Sequence, residues 1–343
     1  MSPPPLRAVV VGAGAMGREW IRTAAQSPDV ELVAVVDTHL RSALAATETM
    51  PATRASDDLA STLQSETPDL IINVTVPEAH YAVSGEALRR GIHVLSEKPL
   101  CATLREAVRL DDEWGAGNPL LAVSQSRRYN AHMFALRDAV RAAGRPHMST
   151  ISFYKNYRPG GFREVMDHPL LLDMAIHPFD GIRFVLGSDP VAVRCVESNP
   201  RWSWFAGAAV AHAWFQMCDG SSVAYDGNWC NLGNDTSWNS AWRVCSEQGS
   251  VLWDGESAPL ADTVSGTSND NDGIVGGAAD FPGEGLAGAL AEFVASIRGG
   301  RLPMGHVSDN VISLAMVHAA IRSASLGGES VTIESVLDSA RRH

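Results

Sequence analysis

The stretch Val9-Val-Val-Gly-Ala-Gly-Ala-Met-Gly17 decides the reading of the first half of this chain. Residues Ala8–Val11 are a continuous apolar run, the pattern of a parallel strand covered on both faces. Gly12, Gly14 and Gly17 follow at once, and Arg18–Gln26 then reads as a helix. With this spacing the first glycine permits a tight turn. The second lets a pyrophosphate approach the backbone, and the third lets helix and strand pack closely. The phosphates would meet the positive N-terminus of that helix. Gly12, Gly14, Ala15, Met16 and Gly17 are therefore expected to bind a dinucleotide. A second strand, Leu32–Val36, ends in Asp37, 20 residues beyond Gly17. A carboxylate there accepts ribose hydroxyls and repels a 2′-phosphate, which favours NAD over NADP. Arg41 is a cation that can oppose this preference, and a cap on the next helix, Thr38 to Thr47, is the structural alternative for Asp37.

Working outward, Leu70–Val74, Ile92–Leu95 and Leu120–Ser124 read as further strands. Helices at about His80 to Arg90 and at Leu104–Trp114 alternate with them, as in a parallel α/β sheet. From about Ser149 the pattern changes. Thr150–Tyr154, Ala192–Ser198, Ala208–Met217, Ser222–Trp229, Ser240–Cys245 and Ser250–Trp253 read as strands, many joined by Gly, Asn or Asp turns. The fold expected is α/β: a dinucleotide-binding domain over 1–125, then an α/β domain over 126–343 with an open, mainly antiparallel sheet. Leu260–Gly285, rich in Gly, Asp and Ser, reads as a loop. Helices at about Leu286–Arg298 and Ser308–Ser325 close the chain and can pack back on the first domain.

The 343 residues are 45% hydrophobic and 19% charged, as in soluble globular proteins. A net charge of −12 argues against nucleic acid or an anionic membrane as partner. Met1–Leu6 lacks a signal-peptide pattern and nothing approaches a membrane span, so a cytoplasmic location is expected. The five cysteines are scattered without a CxxC, which predicts buried free thiols and no metal site. His168, His212 and His318 show no ligand spacing and are read as structural. Seven of the nine tryptophans fall between Trp202 and Trp253. They are expected in sheet core or a subunit interface, with one or two left to touch substrate.

Two short segments carry chemistry. Ser96-Glu-Lys-Pro-Leu100 places Lys98 just after an apolar strand. Leu170-Leu-Leu-Asp-Met-Ala-Ile-His-Pro-Phe-Asp180 puts Asp173 and His177 four apart, on one helix face. Singly, a lysine before proline is an ordinary solvated strand end. An Asp–His pair at this spacing is an ordinary surface pair, worth a few tenths of a kcal/mol. Beside a dinucleotide fold they make a catalytic set. Oxidising an alcohol releases a hydride and a proton, and a neutral imidazole, with a pKa of about 6.5, can take the proton. The lysine can favour negative charge developing on the same oxygen. Asp173 can orient substrate or balance the two cations. Spacing leaves open whether Lys98 or His177 is the base. Asp180 lies near the same face, where a structural role serves equally.

The Glu-Lys-Pro turn together with Asp-Met-x-x-His-x-x-Asp resembles the glucose–fructose oxidoreductase/inositol dehydrogenase (GFO/IDH/MocA) family over nearly the whole chain. The resemblance implies an N-terminal Rossmann domain followed by an α/β domain whose open sheet supports homodimers or homotetramers. It implies that Lys98, Asp173 and His177 line nicotinamide and substrate, and that Thr75, Pro77, His80 and Glu97 lie on the cofactor side. Ser126, Tyr154 and Asn156 match substrate positions, but Tyr154 stands where an inositol dehydrogenase has histidine, which counts against inositol itself as substrate. The expected activity is NAD-dependent oxidation of a CH–OH group of a sugar or cyclitol. The alternatives are keto-sugar reduction in the reverse direction, an NAD-dependent glycosidase, and a non-catalytic NAD-binding regulator. Only the last dispenses with a proton acceptor.

Overall fold

A computed structural model of the chain describes residues 3–158, 160–264, 266–268 and 281–342. The first six strands are β1 (Leu6–Val11), β2 (Val30–Val36), β3 (Arg54–Ser56), β4 (Leu70–Asn73), β5 (His93–Glu97) and β6 (Leu121–Ser124). All pair in parallel, in the order β3-β2-β1-β4-β5-β6. Between them run α1 (Ala15–Gln26), α2 (Leu40–Thr47), α3 (Leu59–Glu66), α4 (Pro77–Leu88) and α5 (Leu104–Trp114). The strand order reverses between β1 and β4, and in such sheets ligands bind beyond the carboxyl ends of the strands at that reversal. Gly12, Asp37, Val74, Lys98 and Gln125 each directly follow one of those ends. Sequence periodicity showed neither β3, only three residues long, nor α3, whose start is fixed by Asp58 accepting from Ser61 N at 3.1 Å.

The chain continues through α6 (Ala131–Ala142), β7 (Pro146–Tyr154) and a 3₁₀ turn at Gly161–Val165. A π-helical segment, Leu170–Ala175, then leads into α7 (Ile176–Leu186). The segment carrying Asp173 and His177 is thus not one α-helix. Pro178 has no N–H to offer the carbonyl four residues back, which leaves the preceding turn free to widen. Next come β8 (Pro190–Ser198), β9 (Val210–Met217), β10 (Ser222–Asn228), β11 (Ala241–Ser246), β12 (Gly249–Trp253), β13 (Leu260–Thr263) and β14 (Gly266–Ser268). The expected loop from Leu260 therefore begins as two strands. Leu260–Thr263 hydrogen-bonds to the edge of β12, a partner that composition does not reveal. Residues 269–280 lie outside the described residues. The chain ends with α8 (Gly285–Gly299), α9 (Val307–Ser325), β15 (Val331–Thr332) and α10 (Ile333–Arg342).

The described residues divide into two compact units. The first runs to Tyr129 and takes in Pro282–Val311, so α8 returns to it and the unit is discontinuous in sequence. The second comprises Asn130–Phe281 and the residues from Ile312 onward. The core of the first unit joins Val10, Val35 and Ile72 of the sheet to Trp20 of α1 and to Leu290 and Phe293 of α8. The second holds a nine-stranded sheet, β14-β13-β12-β11-β7-β10-β9-β8-β15, in which β7–β10 is the one parallel pair among the described residues. Strict alternation buries Ile151, Phe153, Phe215, Val223 and Tyr225 on one face. There Phe179 of α7 meets Phe215 and Tyr225 edge-on at 4.8 and 5.2 Å. On the opposite face Met148, Val191, Val196 and Trp214 are exposed.

Candidate active site

The glycine turn divides its work as its spacing predicts. Gly12 has φ +106°, and a Cβ there would lie 2.5 Å from Val74 O. A Cβ on Gly17 would lie 2.1 Å from Gly12 O, so helix and strand touch through the missing side chain. At Gly14 a Cβ would meet nothing within 4 Å, and Gly14, Ala15 and Met16 are exposed at the start of α1. That open, side-chain-free helix N-terminus suits a pyrophosphate. Asp37 does not cap α2. Its Oδ2 accepts from Ala13 N at 2.8 Å, inside the turn, and its Oδ1 accepts from His39 N at 2.9 Å. The carboxylate is thereby fixed beside the phosphate turn, where the adenosine ribose of a dinucleotide would need it. Arg41 is exposed on the first turn of α2.

Behind β4, Asn73 organises the next loop. Its Nδ2 donates to His80 O and Ser84 Oγ, while its Oδ1 accepts from the Thr75 hydroxyl at 2.7 Å. Pro77 opens α4 at the position where a missing N–H costs nothing. His80, expected on the cofactor side, is instead 1% exposed. Its Nδ1 lies 2.7 Å from Pro99 O and its Nε2 3.1 Å from Thr75 O. Burial holds its pKa below the usual histidine value, against the pull of those carbonyls. It joins the Lys98–Pro99 turn to the Thr75 loop. Glu97 likewise turns inward. Its Oε1 accepts from Trp20 Nε1 at 2.8 Å and its Oε2 from Lys98 N at 3.1 Å, and burial raises its pKa. Lys98 itself is half-buried. Ser126 is also half-buried after β6, while Ser124 and Gln125 are buried, with Ser124 Oγ and both ends of the Gln125 amide lacking a hydrogen-bond partner among the described residues.

In the second unit, residues 174–176 and 178–183 are buried, but Asp173 and His177 are only partly so. The helix thus presents this pair on its accessible side. Arg163 Nε donates to Asp173 Oδ2 at 2.7 Å. Sequence reading missed Arg163: ten residues of irregular chain separate the partners and no periodicity links them. Asp180 is structural, accepting from Ser313 Oγ at 2.9 Å. The strand before this site also differs from expectation. Phe153, Lys155 and Tyr157 all meet Trp238, at 6.1, 5.0 and 5.4 Å. Alternation therefore puts Lys155 on the helix-covered side of β7 and turns Tyr154 and Asn156, the expected substrate residues, to the other. No His/Cys/Asp/Glu group among the described residues has metal-site geometry. His168 pairs with Glu197 at 2.8 Å and His212 with Asp226 at 2.5 Å. Cys101, Cys195 and Cys230 are buried and free, whereas Cys218, expected to be buried, is exposed.

The oxidoreductase family described as GFO/IDH/MocA, with an NAD-binding Rossmann fold, matches residues 6–123, and the GFO/IDH/MocA C-terminal domain matches 135–252. The chain belongs to this family. An inositol 2-dehydrogenase of Arthrobacter sp. is 32% identical over 193 residues, 55% of this chain and 56% of that protein. A 1,5-anhydro-D-fructose reductase of Ensifer adhaerens is 30% identical over 192 residues, 53% and 56% of the two chains. Both matches span little more than half of either relative. An Agrobacterium radiobacter oxidoreductase, solved in complex with NAD+, L-tartaric acid and magnesium, superposes with a TM-score of 0.86. It covers 96% of this chain and 99% of its own at 17% identity, a likeness of fold. Within the GFO/IDH/MocA fold the described turn, with open Gly14 and Asp37 bound into it, fits NAD.

Proposed function

We propose that this member of the GFO/IDH/MocA family is an NAD-dependent dehydrogenase oxidising a CH–OH group of a sugar, cyclitol or related polyol. The observation that carries the proposal is the Asp173–His177 pair, left accessible on a helix whose other residues from 174 to 183 are buried. Bound NAD supplies the hydride acceptor. Gly12–Gly17 and Asp37 hold the dinucleotide, with Thr75 and Pro77 shaping the neighbouring loop. His177, when neutral, has the chemistry to accept the hydroxyl proton, and Lys98 that to stabilise the negative charge that develops. The converse assignment, Lys98 as base, uses the same residues. Asp173, neutralised by Arg163, orients substrate. The same groups serve keto-sugar reduction when equilibrium runs that way.

A screen of NAD reduction across inositols, aldoses, alditols, their acids and simple glycosides tests this reading. Steady accumulation of NADH with at least one polyol is expected. NAD binding without turnover on the whole panel would mark a regulator, and substrate cleavage without net NADH a glycosidase.

The exposed sheet face, with Val191, Val196 and Trp214, is proposed to bury itself in a homodimer or homotetramer. Light scattering should give a multiple of 36.6 kDa, and Trp214→Glu should shift it toward the monomer. A wild-type monomer at micromolar concentration would refute this. No helix among the described residues is long and apolar enough to cross a membrane. Five cysteines without a disulfide suit the reducing cytoplasm in which we place the protein.

A further inference from the structure

Of the 27 cationic residues in this chain only two are lysines, Lys98 and Lys155. Everywhere else the chain uses arginine. Arginine and lysine differ in shape, hydration and hydrogen-bonding geometry, and only lysine offers a compact ammonium. Lys98 belongs to the Glu-Lys-Pro turn already described. Lys155 has no role in that account.

The surroundings of Lys155 are unusual. Its side chain is 12% exposed, and its ammonium lies 5.0 Å from the centre of the Trp238 ring. Its ion-pair partner among the described residues, Asp235, is 3.8 Å away, and Asp235 already accepts from Asn156 N at 2.8 Å. Among the described residues Lys155 Nζ makes no hydrogen bond. A nearly buried ammonium with three unmet donors is costly unless something accepts from it. Lys155 follows Phe153 on the helix-covered side of β7. Phe153 pairs with Gly227, where a Cβ would collide with Leu170 Cδ2 at 2.8 Å. Leu170 begins the helical segment that carries Asp173. Lys155 therefore lies on the same side of the sheet as the candidate site.

Arg163 gives the second observation. Its Nε is spent on Asp173, and its guanidinium lies 4.7 Å from the Phe162 ring centre. Its two Nη groups make no hydrogen bond among the described residues, although the side chain is only 36% exposed. A guanidinium pinned at Nε and stacked on an aromatic ring is a pre-oriented fork for a planar anion. Between them, residues 154–164 hold Lys155, Arg158 and Arg163 against the single acid Glu164, in a chain with a net charge of −12.

We propose that Lys155 and Arg163 are specificity-determining residues that bind a carboxylate on the substrate. The proposal rests on the dehydrogenase reading and narrows its substrate to a sugar acid, an aldonate or a uronate. In a neutral polyol site Asp173 would be open to bind hydroxyls; here Arg163 neutralises it and offers two further donors. Lys155 supplies the compact charge that a bulkier guanidinium over Trp238 would displace.

The test is equilibrium binding by titration calorimetry, with NAD present, of matched pairs: D-gluconate and D-glucitol, D-galactonate and galactitol, D-galacturonate and D-galactose. Indole fluorescence gives a second readout through Trp238. At least one acid should bind about 10-fold or more tightly than its neutral counterpart, the scale of one charge-assisted hydrogen bond. Lys155→Met and Arg163→Met should each remove most of that preference, and Lys155→Arg should not restore it. Circular dichroism establishes that each variant is folded, and either variant alone suffices. Acids bound no better than neutral partners in every pair would overturn the proposal, as would an undiminished preference in both variants. Preference for D-glucitol 6-phosphate over every carboxylate would also overturn it. Tight acid binding without NADH formation would instead refute the dehydrogenase reading and leave the carboxylate site standing.

Discussion

Asp37 braces the glycine turn through Oδ2, which accepts from Ala13 N, and we propose that its charge also disfavours a 2′-phosphate on the cofactor. Asn retains an acceptor for the Ala13 N–H and removes the charge. Asp37→Asn should therefore cut the ratio of kcat/KM for NAD over NADP by about 10-fold, at a cost of about 1 kcal/mol in stability because the amide NH2 cannot accept from His39 N. An unchanged ratio would mean that the charge does not select the cofactor. The offset of Asp37 from the glycines was legible in the sequence because it is fixed by one βαβ unit. Residues whose partners come from irregular chain were not. Arg163 reaches Asp173 from a 3₁₀ turn, and a matched motif gives the positions of His80 and Tyr154 in the chain, not the direction of their side chains. Phe153, Lys155 and Tyr157 meeting Trp238 supplied that direction.

The strand–turn–helix β1–α1 makes a sharper test of how sequence becomes element. Gly17→Ala would force a Cβ to 2.1 Å from Gly12 O, backbone that cannot rotate away. It should destabilise the first unit by about 1–3 kcal/mol, read from denaturant unfolding. Gly14→Ala meets no protein atom within 4 Å and should fold as wild type, yet bind NAD more weakly because the methyl occupies the phosphate side of the turn. Equal stability losses in the two variants would contradict this division of labour. Elements with strong periodicity and clear breakers, such as α5 with its Thr103–Glu106 capping box, were readable within a residue or two. The sequence held a signal for α6 as well: Asn130 accepts from His132 N and Met133 N ahead of an apolar run. Short edge strands such as β3, β14 and β15 form because a neighbouring strand offers hydrogen bonds, which no local pattern records.

At the scale of the whole molecule, the chain order predicted two domains but not that Pro282–Val311 would rejoin the first. Only packing decides that: Leu290 and Phe293 of α8 complete the core around Trp20. The buried histidines set a whole-molecule response to acid. Burial lowers the pKa of His80, His306 and His318, the last to about 4. The folded chain keeps them neutral, while the unfolded chain protonates them near 6.5. Below that pH the unfolded state binds more protons, so stability is full above neutrality and falls as pH drops from 6.5 toward 4. Tm at constant ionic strength should decline over this window, and His318→Leu should flatten part of the decline. A pH-independent Tm across the window would contradict the burial of these groups. Under the proposed function Lys98 and His177 act on the alcohol while the glycine turn holds the cofactor. The most direct test is the kcat and the NAD dissociation constant of Lys98→Met and His177→Ala on a polyol or sugar acid that the wild type oxidises. We expect a kcat lower by about 100-fold or more in each, with NAD affinity within about 3-fold of wild type; turnover near wild type, or lost NAD binding in a folded variant, would contradict these roles.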